Sequence, residues 1–430
     1  MSAPAAQPSG AAPDPTSVDH RPPAEDWRRL LVLYWITSLV EALGVSQIYA
    51  FLPIRLAEMG MPQPDIPHFV GLFSSLIFVF GLPIVPLWGV WADKYSRKAV
   101  IIRSALVEAV VFGGVAVSQV PWQLAVSMLL VGFQLGNTGV MLAALRDVTP
   151  RHRLGTAIAI FGASSPIGFG VGPAIGGVMI DGLHLPATSV YALSAALSLA
   201  VAVMLGLLSK EVRPDVVPSG RVVRLAFGAV RSVVADPQVR RLFAIYGTAF
   251  LARQMATPFL PLLVQRLEVG SMGLASAIAL VVGTAPIAGA VLSSSAGWAG
   301  DRLGFRPVLL VALGGSALTV ALMPFAWAIG PLAVAATLFT GLNAAIGSMV
   351  FGLLAVDVPA ERRSATLNLV YLPLYVAGIV GPAAGAVVVT AGLPVVFLVA
   401  GGVLAVGAAA VLRERTRPAG TAARAEIAEG

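Results

Sequence analysis

Glu41 and Arg253 are ionisable side chains set deep in apolar runs, eleven residues beyond Leu30 and twelve beyond Arg241. A charge at such depth in a membrane-spanning helix is costly, and buried titrating groups cluster at functional sites. The segments RRLLVLY (Arg28 to Tyr34) and RRLFAIY (Arg240 to Tyr246) align at an offset of 212, which makes the two residues direct counterparts. Low dielectric and a nearby cation act on a carboxyl in opposite senses, so its hold on a proton changes as an arginine approaches or withdraws. Glu41 and Arg253 are therefore candidates for a titrating pair; the plainer reading is a static buried ion pair. Polar side chains at similar depth could line a substrate cavity. These are Gln134 and Asn137, one turn apart, Asn343 as the counterpart of Gln134, Gln254 beside Arg253, and Asn368, Tyr371 and Tyr375 on one face of a late helix. Taken singly, each is more often an interhelical hydrogen bond.

A second kind of chemistry is electrostatic latching. The turn GVWADKYSRK (Gly89 to Lys98) returns as GWAGDRLGFR (Gly297 to Arg306) at an offset of 208. An aspartate at a helix end, followed within a turn by basic residues, can bond the ends of neighbouring helices and let them go again. Asp93 and Arg97 are placed to do so, with Asp147 of DVTPRHR as a third member; Asp301, Arg306 and Asp357 of DVPAERR are the second-half counterparts. The plainer reading is that the basic residues only hold the loop on one side of a membrane. Gly168, Gly172 and Gly176 recur every four residues and form one flat helical face, with Gly177 beside it and Pro173 able to kink the helix. GPAIGG returns as GPAAGA at an offset of 209, bringing Gly381, Pro382 and Gly385.

Long apolar helices must hold these residues. With 57% hydrophobic and 11% charged residues and a mean hydropathy of +0.86, the chain has too little polar surface for a soluble globule of its size. Six apolar runs, each long enough to span a bilayer, fall within 27–208 and six more within 242–412, and the repeated landmarks relate the two sets. The expected fold is an all-α membrane protein of twelve transmembrane helices in two pseudo-symmetric six-helix bundles. Residues 1–26, Pro- and Ala-rich without a signal-peptide pattern, read as a disordered tail, and 413–430 as a second tail. The linker 209–241 carries Arg221, Arg224 and Arg231 on one helical face and Val223, Phe227, Val230 and Val234 on the other. That pattern suits a helix on a membrane surface, or simply a tether.

With the N-terminus inside, all but Arg55, Arg253 and Arg266 of the 28 basic residues lie in cytoplasmic segments or at their membrane edge. Both termini are thus expected in the cytoplasm. The net charge of +7 is this topology signal rather than a nucleic-acid surface. There is no cysteine, and the four histidines have no ligand spacing, so neither a metal nor a cofactor is expected. No nucleophile and base, metal cluster or phosphate loop points to an enzyme.

In order and repeat distance, these motifs resemble the major facilitator superfamily of secondary transporters, over Trp27 to Leu412. The resemblance implies that the first and seventh helices line a central cavity from opposite sides, so that Glu41 and Arg253 face each other across it. It also implies that Asp93, Arg97 and Asp147 latch the outward-facing state. The glycine pattern of the fifth span resembles that of the antiporter branch, most like the twelve-helix drug–proton antiporters. Ser96 stands where that family usually has glycine, and Phe305 stands where the first half has Arg97. Proton-coupled drug exporters usually have an arginine in the fourth helix where this chain has Gly132, so coupling falls to Glu41, tuned by Arg253. Glu108 lies in the third helix, which is usually peripheral, and is expected to be structural. The expected function is proton-coupled efflux of small amphipathic molecules or drugs by alternating access, from a bacterial plasma (inner) membrane, by a monomer whose partners are substrate, protons and lipid bilayer. The alternatives are a uniporter or proton symporter for a polar metabolite such as a sugar and, more remotely, a non-transporting receptor or scaffold.

Overall fold

The computed structural model describes residues 24–357 apart from 215, 216, 218 and 236, together with residues 372–415. All regular structure among them is helical. Six spans of the first half, Trp27–Glu58, Ile66–Lys94, Arg97–Val117, Pro121–Val148, Arg151–Gly182 and Ala187–Leu208, are long and apolar enough to cross a bilayer. So are five of the second half, Leu274–Leu303, Phe305–Phe325, Ile329–Leu353, Leu372–Ala391 and Leu393–Arg413. The seventh span, Pro237–Ala256 with a short continuation to Val264, has the length but not the composition, because Arg240, Arg241, Arg253 and Gln254 interrupt it. Its Leu242, Phe243, Ala249 and Phe250 are buried, and it packs on the eleventh and twelfth spans, so neighbouring helices supply what its own hydropathy lacks. The tails through 23 and from 416, and the expected start of the eleventh span at 365–371, lie outside the described residues.

The glycine faces set the packing. A methyl group at Gly168 would meet the Leu39 carbonyl and Ala42, and at Gly172 the Leu43 carbonyl at 2.5 Å as well as Ser46, all on the first span. Backbone atoms cannot swing aside, so only glycine permits this approach of the first and fifth spans. The second half repeats the arrangement: a methyl at Gly381 would stand 3.0 Å from Leu251 O and Met255 N of the seventh span, and one at Gly385 would meet Phe259. Gly177 faces the opposite way, toward Ala275, Ser276 and Ala279 of the eighth span.

The halves meet along the fifth and eighth spans and along the second and eleventh. Their close approaches lie toward the end that carries Asp65 and Asp181. There Asp181 Oδ2 accepts from the Ser276 amide at 2.6 Å, His68 Nδ1 lies 3.0 Å from Ala386 O, and Gly170 packs on Gly283 and Ile287. Toward the Asp93 end, Gly155 and Gly162 of the fifth span and Gly297 of the eighth have nothing within 4 Å of a methyl's position. Among the described residues, the bundles therefore close at the Asp181 end and part at the Asp93 end.

The connecting helix Val222–Val234 lies against the second span. Arg221, Arg224 and Arg231 are exposed, yet so are Val223 and Phe227, while Ala226 is buried.

Candidate transport site

Gly136 takes φ +97°, in the left-handed region, and interrupts the fourth span between a short 3-10 turn, Val131–Phe133, and the helix that starts at Asn137. This break aims two amides at the first span. Asn137 Nδ2 donates to Glu41 Oε2 at 2.9 Å, and Gln134 Nε2 reaches Glu41 Oε1 at 3.4 Å. Both amides are buried, whereas Glu41 keeps some accessible surface. Behind them, Ser104 Oγ of the third span donates to Gln134 O, and Arg103 Nη1 donates to Phe133 O at 2.5 Å. The Arg103 guanidinium lies 3.8 Å from the Trp88 ring centroid, a cation–π stack that holds the charge inside the bundle.

The structure does not bring Glu41 and Arg253 together, and it gives Glu41 a different cation. No ion pair among the described residues joins Glu41 to Arg253; the cation that acts electrostatically on Glu41 is Arg103. Arg253 instead lies within electrostatic reach of Tyr49 of the first span and Tyr246 of its own helix, and Gln254 lies beside Tyr49 across the two halves. The seventh span turns Arg253 toward these hydroxyl groups while Glu41 is turned toward the fourth. Gly132 explains the missing fourth-span arginine in steric terms: a methyl there would stand 2.6 Å from Gly81 N and 2.9 Å from Phe80 Cβ. The second span fills that space, and Arg103 arrives from the third span at the next residue along.

Among the other cavity candidates, Asn343 Nδ2 donates to Ser316 Oγ at 2.6 Å and to Phe339 O at 3.1 Å, so it ties the tenth span to the ninth. Tyr375 is half-buried, 6.2 Å from the Phe78 ring across the seam between halves. Asn368 and Tyr371 lie outside the described residues.

The first charged turn is assembled within its own half. Arg97, with its side chain 2% exposed, lies 2.9 Å from Asp93 Oδ1 and 2.7 Å from Asp147 Oδ2, and Arg146 also bonds Asp147 at 3.1 Å. Sequence reading missed Glu211, just beyond the sixth span. Its carboxylate takes the Arg97 amide at 2.9 Å and the Ser96 hydroxyl, at the positive end of the third helix. Ser96 is extended, at φ −162°, and its Oγ caps Ala99 N, so the usual glycine is not required. In the second turn, Asp301 and Arg306 are exposed and make no ion pair among the described residues. Phe305 sits instead in the space left by Gly300 and Gly352, where methyl groups would come within 3.0 Å and 2.7 Å of its ring. Asp357 closes the helix Ile329–Asp357, and its side chain lies outside the described residues.

The Major Facilitator Superfamily model matches residues 30–294 and 242–429. A multi-drug resistance efflux pump PmrA homolog of Lactococcus lactis is 25% identical over 291 residues, 67% of this chain and 70% of that protein. Multidrug resistance protein MdtG of Salmonella typhi is 29% identical over 294 residues, with the same coverage. Among solved structures, the nucleoside transporter NupG aligns with a TM-score of 0.71 at 14% identity, covering 90% of this chain and 99% of that one. The human organic anion transporter MFSD10 (TETRAN) aligns with a TM-score of 0.63 at 17% identity, covering 91% and 100%. At such identities the two structures speak for the fold.

Proposed function

Because the chain belongs to the Major Facilitator Superfamily, and is a multi-pass membrane transporter rather than an enzyme, we propose that it exports small amphipathic organic molecules in exchange for protons. The observation that carries this reading is Glu41, a partly accessible carboxyl held by Asn137 and Gln134 in the interior of the first half. The two relatives named for multidrug resistance support the substrate class.

The distribution of Lys and Arg supports an orientation with both termini in the cytoplasm of a bacterial inner membrane. Arg55, one exception to that distribution, is buried and neutralised, bonded to Glu58 at 3.3 Å and to Ser118 O. In this orientation the parted Asp93 end faces inward and the closed Asp181 end outward. A substrate entering from the cytoplasm meets Glu41; a cationic one competes with the proton for the same carboxylate. Once the bundles rock, the substrate leaves outward and a proton takes its place. Inward movement of one charge yields about 2.3 kcal/mol per 100 mV, and each pH unit adds roughly 1.4 kcal/mol, enough to drive export uphill. The protein acts as a monomer, since one chain contains both halves.

A drug-susceptibility panel on expressing and non-expressing cells identifies a substrate, and its flux is then followed in proteoliposomes with and without an imposed pH gradient. Accumulation that follows the gradient is the expected result. Flux of the same size without it points to facilitated diffusion.

A further inference from the structure

We propose that Glu108 and Glu41 together form a two-carboxyl proton-binding site inside the first half, with Arg103 as its single counter-charge. This deepens the proton-coupled reading above and rests on it. Glu108 is 4% exposed, and the one donor beside it, Ser198 Oγ of the sixth span, makes no well-formed hydrogen bond to its Oε1. A buried carboxyl oxygen without a well-formed hydrogen bond is poorly suited to permanent ionisation.

Its placement points to Glu41. The position a methyl would take at Gly44 lies 3.2 Å from Glu108 Oε1, and Gly44 is one helical turn from Glu41 on the first span. Glycine there leaves room for the carboxyl between the first and third spans. Glu41 from the first span and Ser198 from the sixth face Glu108, while Arg103 from the third span and the Gln134 and Asn137 amides from the fourth face Glu41. The second span contributes Trp88, stacked on Arg103.

Counting charges gives the behaviour. Arg103 balances one carboxylate, and Glu41, with two amide donors, is the better-served of the two. A second carboxylate in the same dry interior would have at most the Ser198 hydroxyl as donor and no counterion, so the pair retains one proton, chiefly on Glu108, after Glu41 has ionised. Uptake forms one O–H bond at a carboxylate oxygen with a proton from water, and release reverses it; nothing is oxidised or reduced.

The test is an infrared titration of the carboxylic acid band in the purified full chain, beside Glu41→Gln, Glu108→Gln and Glu108→Asp. The parent should lose the band in two steps. Glu108→Gln should lose the upper step and Glu108→Asp should restore it. Glu41→Gln should move that step down by about one pH unit or more, because a like charge has been removed. An upper step that Glu41→Gln leaves unmoved, or one that persists in Glu108→Gln, overturns the site. Should Glu108→Gln fail to fold, the Glu41→Gln arm decides alone. If the coupled titration is present while parental flux ignores a pH gradient, the export reading fails and the site stands; the reverse pattern removes the site alone.

Discussion

Arg97 in the first half and Phe305 in the second follow matching turns at the starts of matching helices, and they secure those ends by different means. Arg97 is buried between Asp93 and Asp147, with Glu211 on its amide. Phe305 is fitted against Gly300 and Gly352 while Asp301 and Arg306 stay exposed. The contrast continues into the membrane. At the offset of 208, Arg103 is answered by Val311, which is 72% exposed, and Glu108 by Ser316. Gln134, which serves Glu41, is answered by Asn343, which is engaged with Ser316. The helical frame repeats, whereas the charged interior is uneven among the described residues: the first half holds Glu41, Arg103 and Glu108, and the second holds Arg253. Buried charge is costly wherever it sits, and this unevenness is why the proposal above puts proton binding in the first half.

Arg97→Ala should have the largest effect on this comparison. It strands two carboxylates at the helix ends, and because both are partly hydrated the cost falls near the low end for a broken buried pair, about 3 kcal/mol. Thermal unfolding in detergent should show a clear loss of stability. Phe305→Ala removes a half-buried ring and should cost about 2 kcal/mol on the same assay. A larger loss for Phe305 than for Arg97 would reverse the assignment of charge to one half and packing to the other. The smallest effects come from the turn aspartates. Asp93→Asn removes one charged acceptor of a buried guanidinium and should lower turnover several-fold in a folded protein, whereas Asp301→Asn should leave turnover unchanged and stability within about 0.5 kcal/mol. Equal losses in proteoliposomes would mean that both turns gate.

Much of the frame was legible because spans need long apolar runs and close helix approaches need glycine. Gly168, Gly172 and Gly381 lie at backbone crossings, and the short turn between Asp93 and Arg97 leaves the two close enough to pair. The partner of Glu41 was not legible. It depends on the break at Gly136, which rotates Asn137 toward the first span and needs φ +97°, a value that a one-dimensional pattern does not express. By charge distribution alone Arg103 belongs with the membrane-edge residues; its position five residues beyond Lys98, with Glu108 a further five on, is the signal that it lies deeper. Glu211 follows a lysine in a polar loop, and only folding brings it to the third helix. The seventh span illustrates the converse: hydropathy alone understates it, and its repeat relation to the first span reveals it.

The central claim is that the Glu41 carboxyl couples the proton gradient to substrate movement, and the most direct measurement is substrate flux in proteoliposomes containing Glu41→Gln, with and without an imposed pH gradient. The account predicts that gradient-driven accumulation is abolished while downhill exchange persists, since Gln keeps the shape and loses the exchangeable proton. A Glu41→Gln protein that responds to the gradient as the parent does would contradict it and leave Glu41 as a structural partner of Asn137 and Gln134.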